Sequence, residues 1–397
     1  MKRKNRTILL FLVAMFILTV EYGYAQDESQ RKQLAKRLVQ SASVKKGDVV
    51  IITGGTHVVP LMEDVAIEVQ KAGGFANMWL QSDRVSRAIL TEEPEEFLGQ
   101  KNDFWLTWYG KANAVINLPN SEDYLKVVEG VPEARIAKSN GAAEDMSAKI
   151  NALPMRMVSL VTPNPAAAKF VNVDLATLQE MASKAINTDY SAIASRGARL
   201  KALFQTAKQV HVTNPDGTDF TFAMAPGRMI VVDDGIVTPE EAKSTVLFER
   251  WASLPTGSIS FAPLETSANG KVAVAKDNCR DGMIKDTRFD FKNGKLENYT
   301  AATNSKCFPE GIAPYTGQKD MIGSFSIGLN PELRAMVAGE QNYIPSSGEG
   351  IVFVGIGDNT LYGGRNLTNW GGWGWALTNA TVMVDGKVIL KDGKFVL

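Results

Sequence analysis

The sequence predicts two halves of different class: an α/β first half built on a parallel sheet, and a strand-rich α+β second half. Two observations carry that prediction. Residues 48–80 run strand, glycine turn, amphipathic helix, glycine stop, strand, which is the order of a βαβ unit. Farther on, Asn293-Gly294, Asp385-Gly386 and Asp392-Gly393 each separate two short strand-like runs, as the two-residue turns of hairpins do. A chain of 397 residues also exceeds what one hydrophobic core usually serves, so a division is expected on length alone.

In chain order, residues 1–25 read as a signal peptide. Lys2, Arg3, Lys4 and Arg6 form a basic start, Ile8–Val20 is an uninterrupted apolar run, and Gly23-Tyr24-Ala25 supplies small residues for cleavage. The run falls short of the roughly 20 residues a membrane span needs, and no second such run follows, so no transmembrane span is expected after cleavage. The expected location is periplasmic or secreted.

The α/β domain is expected over 26–173. Asp48–Thr53 is β-branched and apolar, Pro60–Lys71 has a helical apolar stripe, and Phe75–Leu80 resumes the strand pattern, with further strands at Ala114–Asn117 and Met155–Leu160. The turn Gly54-Gly55-Thr56-His57 lacks both the G-x-G-x-x-G spacing and a following lysine, so it reads as a structural turn rather than a phosphate loop, with His57 at the helix start. A helical connection follows over 174–209, with Asp174 as N-cap for Leu175, Leu178 and Met181. The strand-rich domain occupies 210–397, beginning with Val210–Thr213, Asp219–Met224 and Met229–Val232, and His211 alternates with its valine neighbours to face outward or across a sheet.

Charge and cysteine content exclude several classes. Removing 1–25 takes four of 43 basic residues and one of 43 acidic ones (Glu21), leaving 39 against 42. That balance gives no electrostatic reason for a nucleic-acid or anionic-membrane partner. Cys279 and Cys307 are the only cysteines. In an exported chain they suit either a disulfide or two buried thiols, and no nearby histidine marks a catalytic thiol.

From residue 213 onward a series of ordered blocks resembles the aminopeptidase T family of metallo-aminopeptidases. Thr213-Asn214-Pro215-Asp216-Gly217-Thr218-Asp219 is similar to its strand-turn-strand, and Leu254-Pro255-Thr256-Gly257-Ser258 with Ala262-Pro263 to its L-P-x-G-E…A-P block. Ile322-Gly323-Ser324-Phe325 before Gly328-Leu329-Asn330-Pro331, the run 350–357, Tyr362-Gly363-Gly364 and Gly374-Trp375-Ala376-Leu377 follow in the family's order. The resemblance implies the family's fold, a two-metal exopeptidase site using Zn, Co or Mn, and a homodimer that encloses it.

The ligands themselves do not carry over. Ser258 and Ser324 stand where the family has glutamates, Phe353 and Gly374 where it has histidines, and Ala376 where it has an aspartate. Divalent metals in such sites need imidazole or carboxylate donors at about 2.0–2.2 Å, and Phe, Gly and Ala offer none. Both histidines of the chain, His57 and His211, precede the family's ligand blocks. No metal or other cofactor is therefore expected. Glu340, Glu349 and Asp358 are the acids that could join the site, with solvated loop acids as the alternative. Trp370, Trp373 and Trp375, interleaved with glycines, suit either an aromatic cleft floor or core filling, and Tyr362 is a further ligand-binding candidate.

Three functional expectations follow. The first is an exported aminopeptidase T-like protein with a degenerate metal site, acting as a binding protein for a peptide or other small ligand, or as an enzyme of altered chemistry. The second is an active metallo-aminopeptidase using substitute ligands, and the third is a cell-envelope interaction module.

Overall fold

The structure, a computed structural model, describes residues 28–100, 102–132, 134–136, 138–139, 149–150, 152–171, 173–279, 282–333, 346–368 and 372–396. The expected signal segment 1–25, Glu340 and Trp370 lie outside the described residues. Among the described residues no helix is long and apolar enough to cross a membrane.

The first half runs α1 (Glu28–Ser41), β1 (Val49–Gly55), α2 (Val59–Lys71), β2 (Phe75–Gln81), α3 (Asp83–Glu92), α4 (Phe104–Tyr109), β3 (Ala114–Asn117), α5 (Tyr124–Val128), β4 (Arg156–Leu160) and α6 (Pro165–Val171). β1 is apolar almost throughout because both faces of a central parallel strand are covered. In α2 the residues Leu61, Met62, Val65 and Val69 form the buried stripe, and Pro60 occupies the first turn, where its missing N–H costs nothing. Gly73, at φ +81°, then turns the chain into β2, which pairs in parallel with β1. A buried ion pair, Arg156 to Asp48 at 2.5 Å, ties the start of β4 to the loop before β1.

Two helices connect the halves: α7 (Leu175–Ile186) and α8 (Tyr190–Thr206). Asp174 caps α7 by accepting from the Thr177 N–H at 2.8 Å, and Asp189 caps α8 in the same way through Ser191 at 2.9 Å. The second half contributes β5 (Gln209–Thr213), β6 (Asp219–Ala223), β7 (Ile230–Asp233), β8 (Trp251–Leu254), β9 (Ser258–Phe261), β10 (Asn269–Cys279), β11 (Gly282–Lys292), β12 (Lys295–Thr300), α9 (Cys307–Ile312), β13 (Ile322–Gly328), β14 (Val352–Ile356), β15 (Trp373–Leu377), β16 (Thr381–Val384), β17 (Lys387–Lys391) and β18 (Lys394–Phe395).

These strands form three sheets. The first is parallel, in the order β2-β1-β3-β4-β8. The second is antiparallel, β12-β11-β10-β6-β5-β16-β17-β18, and the third is antiparallel, β15-β14-β13-β9-β7. β8 departs from the expected division at 173 and 210, because a strand from the second half completes the sheet of the first. Four residues were too few to signal that pairing in the sequence.

The main core lies between the second and third sheets. Phe220 and Phe222 of β6, Phe261 of β9 and Phe325 of β13 meet there, with Phe222 and Phe325 ring centroids 5.0 Å apart. Helix α8 closes one side through Phe204, 5.0 Å from Phe261. Its Gly197 lets the helix press against β7, since a Cβ there would stand 2.4 Å from Val232 Cγ1. Asn293 and Gly294 form the β11–β12 turn with positive φ at both positions, as the two-residue hairpin requires.

Cys307, at the start of α9, is disulfide-bonded, and Cys279 at the end of β10 is the chain's other cysteine. His211 meets Asp219 across the β5–β6 pair, Nε2 to Oδ1 at 2.7 Å, on the outer surface of the second sheet.

Candidate functional site

Side chains directly opposed in an antiparallel pair point to the same face, and residues two apart along a strand do as well. In the third sheet Ser326 opposes both Ser260 and Phe353, and Phe353 opposes Ala376. Ser324 opposes Gly355, which opposes Gly374, and Ser258 opposes Gly328 and Asp233. Ser258, Ser324, Phe353, Gly374 and Ala376 therefore share one face, the face turned away from the phenylalanine core.

Trp373 and Trp375 lie between these positions and so point the other way. Trp375 is 1% exposed and stacks 4.1 Å from Phe289, while Trp373 meets Phe308 edge-on and donates from Nε1 to Asp277 Oδ2 at 3.1 Å. That placement corrects the reading of these two tryptophans as cleft residues. If Gly374 and Ala376 face a site, the two-residue period of a strand sends their tryptophan neighbours into the core.

The acids proposed as partners are committed elsewhere. Glu349 forms an ion pair with Arg196 of α8. Asp358 accepts from the Thr360 N–H at 3.0 Å and hydroxyl at 2.6 Å, which makes it a turn residue. Neither is a free carboxylate for a ligand.

Tyr362 does belong to the shared face. It lies against Phe248, with ring centroids 4.9 Å apart, and its hydroxyl stands near Ser260. Burial pushes its hydroxyl up to about 12, so it is a neutral phenol at any ordinary pH. Beneath it the Ser260 and Ser326 hydroxyls meet at 2.8 Å, and Ser326 is 2% exposed. The inner part of the face is thus closed, and the outer part, with Ser324, Phe353, Gly374 and Ala376, is partly open.

Sequence reasoning missed Asp233, whose DDG setting reads as a turn. It accepts from Thr256 Oγ1 at 2.7 Å and from the Gly235 N–H at 3.3 Å, and burial raises it to about 7. Ser260 and Ser326 were missed too, although each lies two residues from a position already singled out.

The outer part of the face has a specific packing. A Cβ on Gly374 would stand 2.0 Å from Phe353 Cζ and 2.5 Å from its Cε1, so the Phe353 ring lies across the Gly374 backbone. A Cβ on Gly355 would stand 2.5 Å from the Ser324 hydroxyl. The surface offers neutral hydroxyls, one phenol, an aromatic ring and a single carboxylate that burial holds near neutrality. Among the described residues no group of three or more His, Cys, Asp or Glu could hold a metal ion. Judged by its donors, the face does not fit a pair of divalent metals, and its chemistry is hydrogen bonding and apolar contact.

Comparison with known proteins gives the fold a context. The profile of the family described as thermophilic metalloprotease (M29) matches residues 27–330. Among solved structures, wild-type AmpT from Thermus thermophilus superposes with a TM-score of 0.72 at 17% identity, over 93% of this chain and 99% of that one. A 2,5-dihydroxypyridine dioxygenase from Pseudomonas putida KT2440 superposes with a TM-score of 0.62 at 15% identity, over 93% and 97%. No curated protein matches the chain.

Proposed function

Because the chain belongs to the thermophilic metalloprotease (M29) family, we propose that it is an exported member whose two-metal peptidase site is degenerate, and that the former site now binds a peptide or other small neutral ligand. The observation that carries this reading is the Phe353 ring lying across Gly374. Two positions where the resemblance implies histidines are occupied by one apolar ring, and Ser258, Ser324 and Ala376 supply no carboxylate. Such a surface can neither compensate the charge of two divalent ions nor bridge them. The Ser324 hydroxyl, set beside the Phe353 ring and Ala376 on the partly open part of the face, supports recognition of hydroxyl or amide groups. Export rests on the basic and apolar pattern of residues 1–25, and a homodimer is expected from the family resemblance.

Metal content and peptidase activity, measured together on the purified mature chain, test the proposal. After dialysis without chelator we expect less than about 0.2 equivalents of transition metal and no hydrolysis of amino-acid p-nitroanilides. Stoichiometric zinc, cobalt or manganese with hydrolysis that a chelator abolishes would instead establish an active metallo-aminopeptidase using other donors.

A further inference from the structure

The first sheet carries a cleft that shares no lining residue with the face just described. In the order β2-β1-β3-β4-β8 the chain leaves β1 toward β2 on one side, while β3 lies on the other. The carboxyl ends of β1 and β3 therefore diverge, and in open α/β sheets ligands bind in the crevice that such a reversal opens. A cleft of about 1170 Å³ occupies that place.

The lining is built from the loops after β1, β3 and β4. Gly55 donates to the Pro119 carbonyl at 2.8 Å, and a Cβ on it would stand 2.6 Å from the His57 ring and 2.7 Å from the Asn120 carbonyl. The two loops are therefore pressed together under the cleft. A single 3-10 turn, Thr56–Val58, leads straight into α2, and no side chain caps the start of either. The positive end of the helix dipole favours a negative group here.

Several charges around the cleft are committed to the frame. Asp83 accepts from the Glu122 and Asp123 N–H groups at 3.0 and 3.3 Å, and Arg87 donates to the carbonyls of Lys126, Val127 and Glu129. Beside them in the lining stand the Arg84 and Glu122 side chains, of opposite sign, and the Ser121 hydroxyl, buried and without a hydrogen-bond partner. His57 stands beside them half-buried, and burial lowers its affinity for a proton, so it is a neutral imidazole near pH 7. Val58, Leu61, Leu160 and Leu175 form an apolar wall.

We propose that this cleft binds an amino acid or short peptide with an apolar side chain, its carboxylate directed to the start of α2 and Arg84, its ammonium to Glu122, and its side chain to the apolar wall. A phosphate ester fits less well. Acids (Asp83, Glu122 and Asp123) stand among the bases of the lining, which suits a zwitterion better than an anion, and the Gly54-Gly55 loop brings no lysine.

The full-length mature chain is titrated with L-leucine and with Leu-Leu, followed by calorimetry and by the imidazole proton resonances. The chain has only two histidines, so His57 reports on the cleft and His211, on another sheet, serves as an internal control. Saturable binding that shifts His57 and leaves His211 in place is expected. Arg84→Gln and Glu122→Gln, both at exposed positions, should each weaken it about tenfold or more. Leucinamide, without the carboxylate, and 4-methylpentanoate, without the ammonium, should bind at least about tenfold more weakly than leucine. Because the shift is read at His57, inside the cleft, a ligand held only on the third-sheet face would leave it in place, which separates this site from the one under Proposed function. Absence of binding, binding indifferent to both charge variants, or equal binding of inorganic phosphate would each overturn the proposal.

Discussion

At the scale of single residues, the contact between Phe353 and Gly374 makes a sharp prediction. Any side chain at 374 begins inside the Phe353 ring. Gly374→His alone should therefore destabilise by about 1–3 kcal/mol, the usual cost of overpacking. Phe353→Ala removes the obstruction, so the double variant should lose less than the sum of the two single losses, and urea midpoints of the four proteins measure the coupling. Strict additivity would mean that the ring does not lie over residue 374 in solution. Asp233 makes a second prediction. Burial raises it from an ordinary 3.8 to about 7, so the folded chain holds this proton more tightly than the unfolded chain does. Its stabilisation is complete below about pH 4 and is lost as pH rises through about 7, on the order of 2–4 kcal/mol in all. Asp233→Asn should flatten that dependence between about pH 4 and 7, and an undiminished slope in the variant would place the titration elsewhere. The five positions on the shared face were legible because block resemblance aligns residues regardless of what they have become. Asp233 was not, since an aspartate before Asp-Gly has the same composition whether it ends a strand in a site or starts an exposed turn.

Among the elements, β15 shows how a strand divides its residues between two environments. Trp375 fills the core beside Phe289, and truncation to alanine should cost about 3–5 kcal/mol. Trp373, only partly buried, should cost clearly less. Melting temperatures of the two alanine variants test this ordering, and near-equal losses would contradict the assignment of faces. Much at this scale was readable in advance. β3 spans the expected residues, β1, α2 and β2 differ from expectation by a residue or two at their ends, and the three hairpin turns fall at the predicted dipeptides. Local periodicity and turn chemistry are properties of adjacent residues, and these elements are specified locally. The direction of the tryptophans stayed open in the sequence for a related reason. A cluster counted along the chain hides the fact that alternate members of a strand never share a face.

The whole molecule is held by contacts that sequence patterns do not announce. The disulfide at Cys307 closes a loop of roughly 28 residues back to the end of β10, which in the chain-entropy account is worth about 3–4 kcal/mol. Reduction under native conditions should lower the urea midpoint accordingly, and an unchanged midpoint would show that the loop is already ordered in the unfolded chain. Less visible still is β8, whose four residues pair with β4 from about 90 positions downstream. During synthesis β4 emerges long before that partner does. At about 5–20 residues per second, its free edge waits on the order of 5–20 s. For that interval the nascent first half presents an unpaired strand, the kind of surface to which chaperones and other nascent chains attach, so the yield of this protein should depend on how quickly the segment 251–254 follows it.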